Sequence, residues 1–276
     1  MKKNYKAKTL INKLNKDGYL ILENVFSLSQ CDKFKNEIIK LKQKLKAIPE
    51  LNDYKKGQFI LRDLILRNPK VFLKAIDNKK ILNILDQVYE DKYVLDNIMA
   101  SNSEKVKNFS RKIHIDQQLP TPGLKYTTDV VSLICLDDFE LSNGATKIWP
   151  GSHNSGVRIH KSSKKFKKKY KPKNLVMKKG SVAILLGQLW HQVGRNKSNH
   201  SRWSIFLHYK RWWMKTSTDF VKCGEIIFKI LNNKQKELMG FTSIPPRFKI
   251  NKGFSELYTL RKIKKLGKNY KYILDY

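Results

Sequence analysis

The chain has 276 residues, enough to bury a substantial core in one catalytic domain, and its 57 Lys and Arg against 23 Asp and Glu give a net charge of +34. No apolar stretch reaches the roughly 18 residues that cross a bilayer, and the N-terminal MKKNYKAKTLINKL lacks the apolar centre of a secretory signal. Cys31, Cys135 and Cys223 are too few and too scattered for a disulfide framework or a zinc cluster, so a cytoplasmic protein with ordinary buried thiols is expected. The charge gathers in residues 161–173 and 261–271, which could meet nucleic acid, an anionic membrane or a phosphorylated substrate. Only nine of the 57 basic residues are Arg, however, and the chain is rich in Asn and Ile. That is the signature of AT-rich codons drifting into solvent positions, so the charge is read mainly as a solvated surface.

Residues 28–45 read as an amphipathic helix, with Phe34, Ile38, Leu41 and Leu45 on one face. Ser27 and Gln30 have the form of a capping box at its start. A second helical pattern runs from Pro69 to Tyr89, interrupted near Asp77-Asn78. These helices read as scaffold on the outside of a barrel. Beyond Tyr126 the pattern turns strand-like: VVSLICL is apolar and β-branched, Asp137 to Ser142 is a polar loop, Asn143-Gly144 marks a turn, and TKIWP returns as a strand. Trp149 is read as packing.

The last β-like region, from Ser181 to Tyr209, consists of SVAILLGQLWHQV and RWSIFLHY around the turn-rich GRNKSNHS, a hairpin signature. With the turn centred between Asn196 and Lys197, His191 falls directly opposite Arg202, roughly 5 Å away on the same face. Upstream stand His114 and Asp116, two residues apart, which on a strand share a face and can chelate one ion. Two histidines and one carboxylate form the ligand set of a non-haem Fe(II) site with open positions for a co-substrate and O2. The planar fork of Arg202 suits the far carboxylate of a dicarboxylate that chelates the metal at its other end, the shape of 2-oxoglutarate. Ser204, two residues on, could add a hydroxyl donor to that carboxylate. His153 and His160 are not expected to be ligands.

Between the ligands, Asn143-Gly144-Ala145-Thr146-Lys147-Ile148-Trp149-Pro150-Gly151-Ser152-His153 resembles the NGA-x-x-x-x-PGSH stretch of the phytanoyl-CoA dioxygenase (PhyH-like) family of Fe(II)/2-oxoglutarate oxygenases. Asp17 to Phe26, Lys179-Gly180-Ser181-Val182, Met239-Gly240-Phe241 and Pro245-Pro246 are similar to further parts of that family, so the resemblance spans about residues 8–247. It implies that His114, Asp116 and His191 bind iron and that Arg202 holds 2-oxoglutarate. The fold it implies is mainly β with flanking helices: a double-stranded β-helix, or jelly-roll, cupin-like barrel. Helical decoration would occupy about 28–90, the barrel core about 95–212, and a helical, basic extension 213–276. The sequence departs from the family at Val193, where some members carry a serine that touches the co-substrate, and at Ile115, where Gln is frequent. Halogenating relatives replace the carboxylate ligand with a small residue, so Asp116 favours hydroxylation or a related oxidation over halogenation.

The function implied is hydroxylation of an unactivated C–H bond, with release of succinate and CO2. The expected partner is a small molecule, anionic ones included, rather than nucleic acid. Two alternatives are an oxygenase directed at a macromolecule and a non-catalytic ligand-binding barrel. A nucleic-acid demethylase of the AlkB kind would carry a second arginine six residues past Arg202, where this chain has His208.

Overall fold

The computed structural model describes residues 2–45, 58–105, 112–117, 119–157, 159, 168–223 and 225–242. His160, Pro245-Pro246, the tail at 261–271 and the 161–167 part of the basic run lie outside the described residues.

The chain opens with α1 (Lys2–Asp17), β1 (Tyr19–Leu22) and α2 (Leu28–Leu45). The last of these has the bounds read from the sequence. Its capping box is formed: the Ser27 amide donates to Gln30 Oε1 at 2.9 Å, and the Gln30 amide donates to Ser27 Oγ at 3.2 Å. Ser27→Ala removes one half of that exchange and should lower stability by about 1 kcal/mol, measured as a shift in the denaturant midpoint with an unchanged slope. Next come β2 (Ile60–Arg62), α3 (Leu64–Arg67), α4 (Pro69–Ile76) and α5 (Lys79–Tyr89). The break foreseen at Asp77-Asn78 separates α4 from α5. Its cause is local: Asn78 leaves the helical conformation and its side chain accepts the Lys80 amide at 3.0 Å, starting a new helix.

The β structure comprises β3 (Tyr93–Ser103), β4 (Asp129–Cys135), β5 (Lys147–Ile148), β6 (Lys173–Asn174), β7 (Val182–Leu186), β8 (His191–Gln192) and β9 (Arg202–Arg211); α6 (Glu225–Ile230) and α7 (Asn233–Leu238) follow. Two antiparallel sheets form, a six-stranded one in the order β1-β7-β4-β9-β3-β2 and a three-stranded one in the order β6-β5-β8. This is the expected jelly-roll arrangement, although the two sheets are not hydrogen-bonded into one closed barrel. Strand alternation divides the apolar side chains between two cores. Val130, Ile134, Ile184, Ile205, Leu207 and Tyr209 pack with the helices. Val131, Leu133, Cys135, Ala183 and Leu185 pack between the sheets with Phe139, Ile148 and Met177. The free thiols of Cys31 and Cys135 are buried, as expected.

The hairpin expected over Ser181–Tyr209 does not form. β7 and β9 each pair with β4, on opposite sides of it, while β8 belongs to the other sheet. His191 therefore faces Ile148, and Arg202 faces Ser103. The reason is the demand of β4, whose residues are all buried and whose backbone groups must find partners along both edges. A local hairpin of β7 with β9 would satisfy their inner edges and leave β4 unpaired. The chain instead turns after Leu186, where the Leu189 amide bonds Leu186 O at 2.9 Å, and crosses to the second sheet before His191.

Candidate metal centre and co-substrate pocket

His114 and Asp116 lie on a segment that makes only an isolated bridge, not the strand expected. The bridge is to His191: His114 N–H donates to His191 O at 3.0 Å, and His191 N–H donates to His114 O at 2.9 Å. The Asp116 and Gln117 amides both donate to Gly187 O at 2.9 Å, which bends the chain so that the carboxylate turns back toward the histidines. Gly187 is required here by close approach, since a Cβ would lie 2.8 Å from both Cβ and O of Asp129. Gly187→Ala would also put a Cβ 3.0 Å from Gln117 Cβ, crowding the segment next to Asp116, and should weaken metal binding about tenfold or more, as losses of supporting contacts do. Calorimetric Mn(II) titration checks this.

The NGA and PGSH residues that carried the resemblance hold His191 from both sides and supply no ligand. A Cβ on Gly144 would come within 2.6 Å of Gly194 O, so the two backbones touch just past the histidine. Before it, Trp190 N–H donates to Ser152 Oγ at 2.9 Å, and Trp149 N–H donates to Trp190 O at 3.0 Å. Trp149 packs with Trp190 and Ile159, as its packing role required. His153 is fully buried, and its Nε2–H donates to Asn15 O at 2.8 Å, fastening the end of α1. The positive φ of Gly18 (79°) lets the chain leave α1 beneath that ring, where any Cβ would meet His153 Nδ1 at 2.4 Å.

The three sequence-predicted ligands converge, with one donor atom from each lying within 4.8 Å of the others. His114 Nε2 is 3.9 Å from Asp116 Oδ1, and His191 Nε2 is 3.5 Å from Asp116 Oδ2. The other ring nitrogens are engaged: His114 Nδ1 bonds Lys112 O at 3.1 Å, and His191 Nδ1 bonds Leu189 O at 3.0 Å. A carbonyl can only accept, so each Nδ1 carries the proton and each Nε2 presents its lone pair toward the shared centre. This is the way backbone carbonyls fix the tautomer of metal-ligating histidines. Burial and the neighbouring His191 ring lower the pKa of His114, favouring the neutral form that binds metal. Burial opposes ionisation of Asp116, but the attractions of His191, His208 and His114 outweigh it and hold the carboxyl below its usual range. The donor set fits a divalent iron that keeps open coordination positions.

Beside the three ligands opens a cavity of about 380 Å³. Ile60, Met99, Val193 and Phe206 give it apolar walls, while Gln58, Ser101, Lys112, Thr146 and His208 add polar groups. Val193, the departure from the family's serine, thus does line this space. Arg202, Ser204, Phe206 and His208 follow one another at two-residue spacing along the inner face of β9. Arg202 is 4% exposed, its guanidinium lies 3.8 Å from the centre of the Phe139 ring, and its Nε and Nη1 have no hydrogen-bond partner. Burial pushes its pKa down to about 10, with Cys135 and then Asp137 acting in the other direction, so it stays charged at neutral pH. A buried guanidinium with idle donors is built to meet an anion. The Ser204 hydroxyl donates to Ser101 O at 3.2 Å. Among the residues that line the pocket, Gln58, Ile60, Met99, Ser101, Lys112 and Phe206 were not singled out from sequence. His208 had been noted only for not being arginine, although its even spacing from Arg202 placed it on the same face.

Comparisons with known proteins bear on the fold and the family. Uncharacterized proteins of Mycobacterium bovis and Mycobacterium tuberculosis are each 24% identical to this chain over 243 residues, covering 83% of it and 85% of their own length. Among solved structures, the epimerase SnoN from nogalamycin biosynthesis, in complex with Fe3+, alpha ketoglutarate and nogalamycin RO, matches with a TM-score of 0.61 at 14% identity, over 75% of this chain and 84% of its own. HygX from Streptomyces hygroscopicus, with nickel, 2-oxoglutarate and hygromycin B bound, matches with a TM-score of 0.60 at 15% identity, over 76% and 89%. These likenesses share the fold. Residues 14–204, which contain the metal trio, the glycine and serine supports of His191 and the arginine of β9, match the phytanoyl-CoA dioxygenase (PhyH) family, and the chain belongs to that family of iron- and 2-oxoglutarate-dependent enzymes.

Proposed function

We propose that the protein is an Fe(II)- and 2-oxoglutarate-dependent dioxygenase that hydroxylates an unactivated C–H bond of a small molecule, releasing succinate and CO2. The observation that carries this reading is the convergence of two tautomer-fixed histidines and one carboxylate, on the same barrel interior as a buried arginine with idle donors. His114, Asp116 and His191 would hold the iron. Arg202 would hold the distal carboxylate of 2-oxoglutarate, with Phe139 stacked beneath its guanidinium, and Ser204 lies next to it on the same face. Bound iron with 2-oxoglutarate supplies oxidation by O2, driven by loss of CO2 from the co-substrate. The chain's own contribution is to orient the co-substrate by its far end, to seat the target carbon beside the metal and to exclude water with the apolar walls.

The cavity has the size of a small-molecule site. SnoN and HygX are seen with small molecules, nogalamycin RO and hygromycin B. No described helix is long and apolar enough to cross a membrane. Iron-dependent succinate release from 2-oxoglutarate, assayed against a small-molecule panel and against methylated oligonucleotides, tests the reading. Incorporation of 18O from 18O2 into the substrate-derived product, beyond the one atom that enters succinate, supports hydroxylation, whereas turnover that inverts a stereocentre and labels succinate alone replaces it with epimerisation. Absence of iron-dependent 2-oxoglutarate turnover under every condition leaves only a binding barrel.

A further inference from the structure

Two buried, unpartnered polar atoms, one on His208, which lines this pocket, and one on Asn97 behind its wall, belong neither to the three proposed metal ligands nor to Arg202. Asn97 on β3 lies directly opposite His208 on β9. Asn97 shares its strand face with Met99 and Ser101, both of which line the cavity, as does His208 itself. Asn97 is 7% exposed, and its Oδ1 has no hydrogen-bond partner. The same holds for Nε2 of His208. Leaving a buried polar atom unpaired costs roughly 1–3 kcal/mol, and here two such atoms sit on neighbouring strands.

The Asn97 amide cannot correct this by turning over. Its Nδ2 donates to Asp96 Oδ2 at 2.7 Å, and a carboxylate accepts only, so the oxygen must face away from Asp96. Asp96 is itself held by the Ser217 amide at 2.5 Å, by Ser217 Oγ at 3.0 Å and by Lys210 Nζ at 3.1 Å. Asn97 therefore offers a fixed acceptor. The imidazole of His208 can give or take the second bond according to its tautomer, and the broad torsion about its Cβ–Cγ bond lets the ring bring a nitrogen toward the cavity.

We propose that Asn97 and His208 form the polar subsite of this pocket and take a hydroxyl group of the substrate, an otherwise apolar small molecule. The inference rests on the reading that metal and 2-oxoglutarate occupy the adjoining positions. A hydroxyl donates its one proton to Asn97 Oδ1 and accepts from an N–H of His208. A carboxylate would face the Asn97 acceptor and the nearby Asp96 and Asp116 and gain nothing. An ammonium could not accept, and Lys210 already compensates the local acids, with Nζ at 3.1 Å from Asp96 and 3.9 Å from Asp129. Ile60, Met99, Val193 and Phe206 would enclose the apolar remainder.

The matched probes cyclohexanol and methoxycyclohexane test this by ligand-observed NMR on the full chain with Zn(II) and 2-oxoglutarate. Calorimetry of 2-oxoglutarate on the same sample tests the underlying reading separately. Cyclohexanol should bind about fivefold tighter than the ether, the worth of roughly one hydrogen bond. Asn97→Leu should abolish that preference, since only the hydroxyl can donate to Oδ1, whereas His208→Phe removes the donor that serves both probes and should weaken the two about equally, with His208→Gln recovering part of the loss. Equal binding of the two probes, a preference that survives Asn97→Leu, binding of both probes that His208→Phe leaves unchanged, or binding of neither probe while 2-oxoglutarate binds normally overturns the proposal.

Discussion

His114→Ala, Asp116→Ala and His191→Ala should each abolish iron-dependent turnover of 2-oxoglutarate and weaken Mn(II) binding by about 100-fold or more, since even supporting contacts to metal ligands are worth 10–100-fold. None of the three belongs to the apolar clusters, so truncation leaves no core cavity and the far-UV spectrum should be unchanged. Each variant fails for its own reason. His114→Ala and His191→Ala each remove a lone pair that a backbone carbonyl has oriented. Asp116→Ala removes the sole negative charge of the trio and leaves two imidazoles whose rings are 4.1 Å apart. Asp116→Asn keeps the shape without the charge and should recover little, which separates charge from packing. Wild-type metal affinity in any of the three alanine variants would place the iron elsewhere.

The second large effect belongs to Arg202 and should appear in opposite directions in two measurements. Arg202→Lys keeps a charge but loses the planar fork. The KM for 2-oxoglutarate should therefore rise roughly 10- to 100-fold, the worth of charge-assisted hydrogen bonds of 1.5–3 kcal/mol, while kcat falls less. Arg202→Met should all but eliminate 2-oxoglutarate binding and yet make the protein alone more stable, by about 1 kcal/mol or more. The sign follows from burial. The folded-state pKa of Arg202 lies below its ordinary value, so the protonated form is disfavoured in the fold at every pH below about 10. Its Nε and Nη1 have no partner to offset that, although the Phe139 ring face returns part of it. Methionine fills similar space without the charge. A variant that loses stability while keeping 2-oxoglutarate affinity would assign Arg202 to packing instead.

Much of this architecture could be read from the sequence because it is local. The capping box of Ser27 and Gln30, the apolar stripe of α2 and the asparagine that starts α5 depend on neighbours within four residues, and their spacing is visible in one dimension. The candidate trio of His114, Asp116 and His191 was singled out for a different reason: two histidines and a carboxylate are a chemically demanding set, the fold brings their donor atoms together, and the run from Asn143 to His153 marked the family.

The sequence could not say how those pieces meet. Residues 181–209 satisfy a hairpin pattern in full, yet their strands lie on either side of β4, because pairing is decided by which buried edges would otherwise go unsatisfied, and those edges belong to a segment some fifty residues away. His114 and Asp116 were expected on a strand and instead follow an isolated bridge, with the turn toward His191 imposed by Gly187 O. The placement of Asn97 opposite His208 joins residues more than a hundred positions apart, through a register that no local pattern encodes. Helix signals, the candidate ligand set and family membership were thus carried by short-range chemistry in the sequence. The geometry of the centre, the idle donors of Arg202 and the character of the substrate pocket were decided only in the fold, since burial and long-range pairing set which polar atoms are left for a ligand.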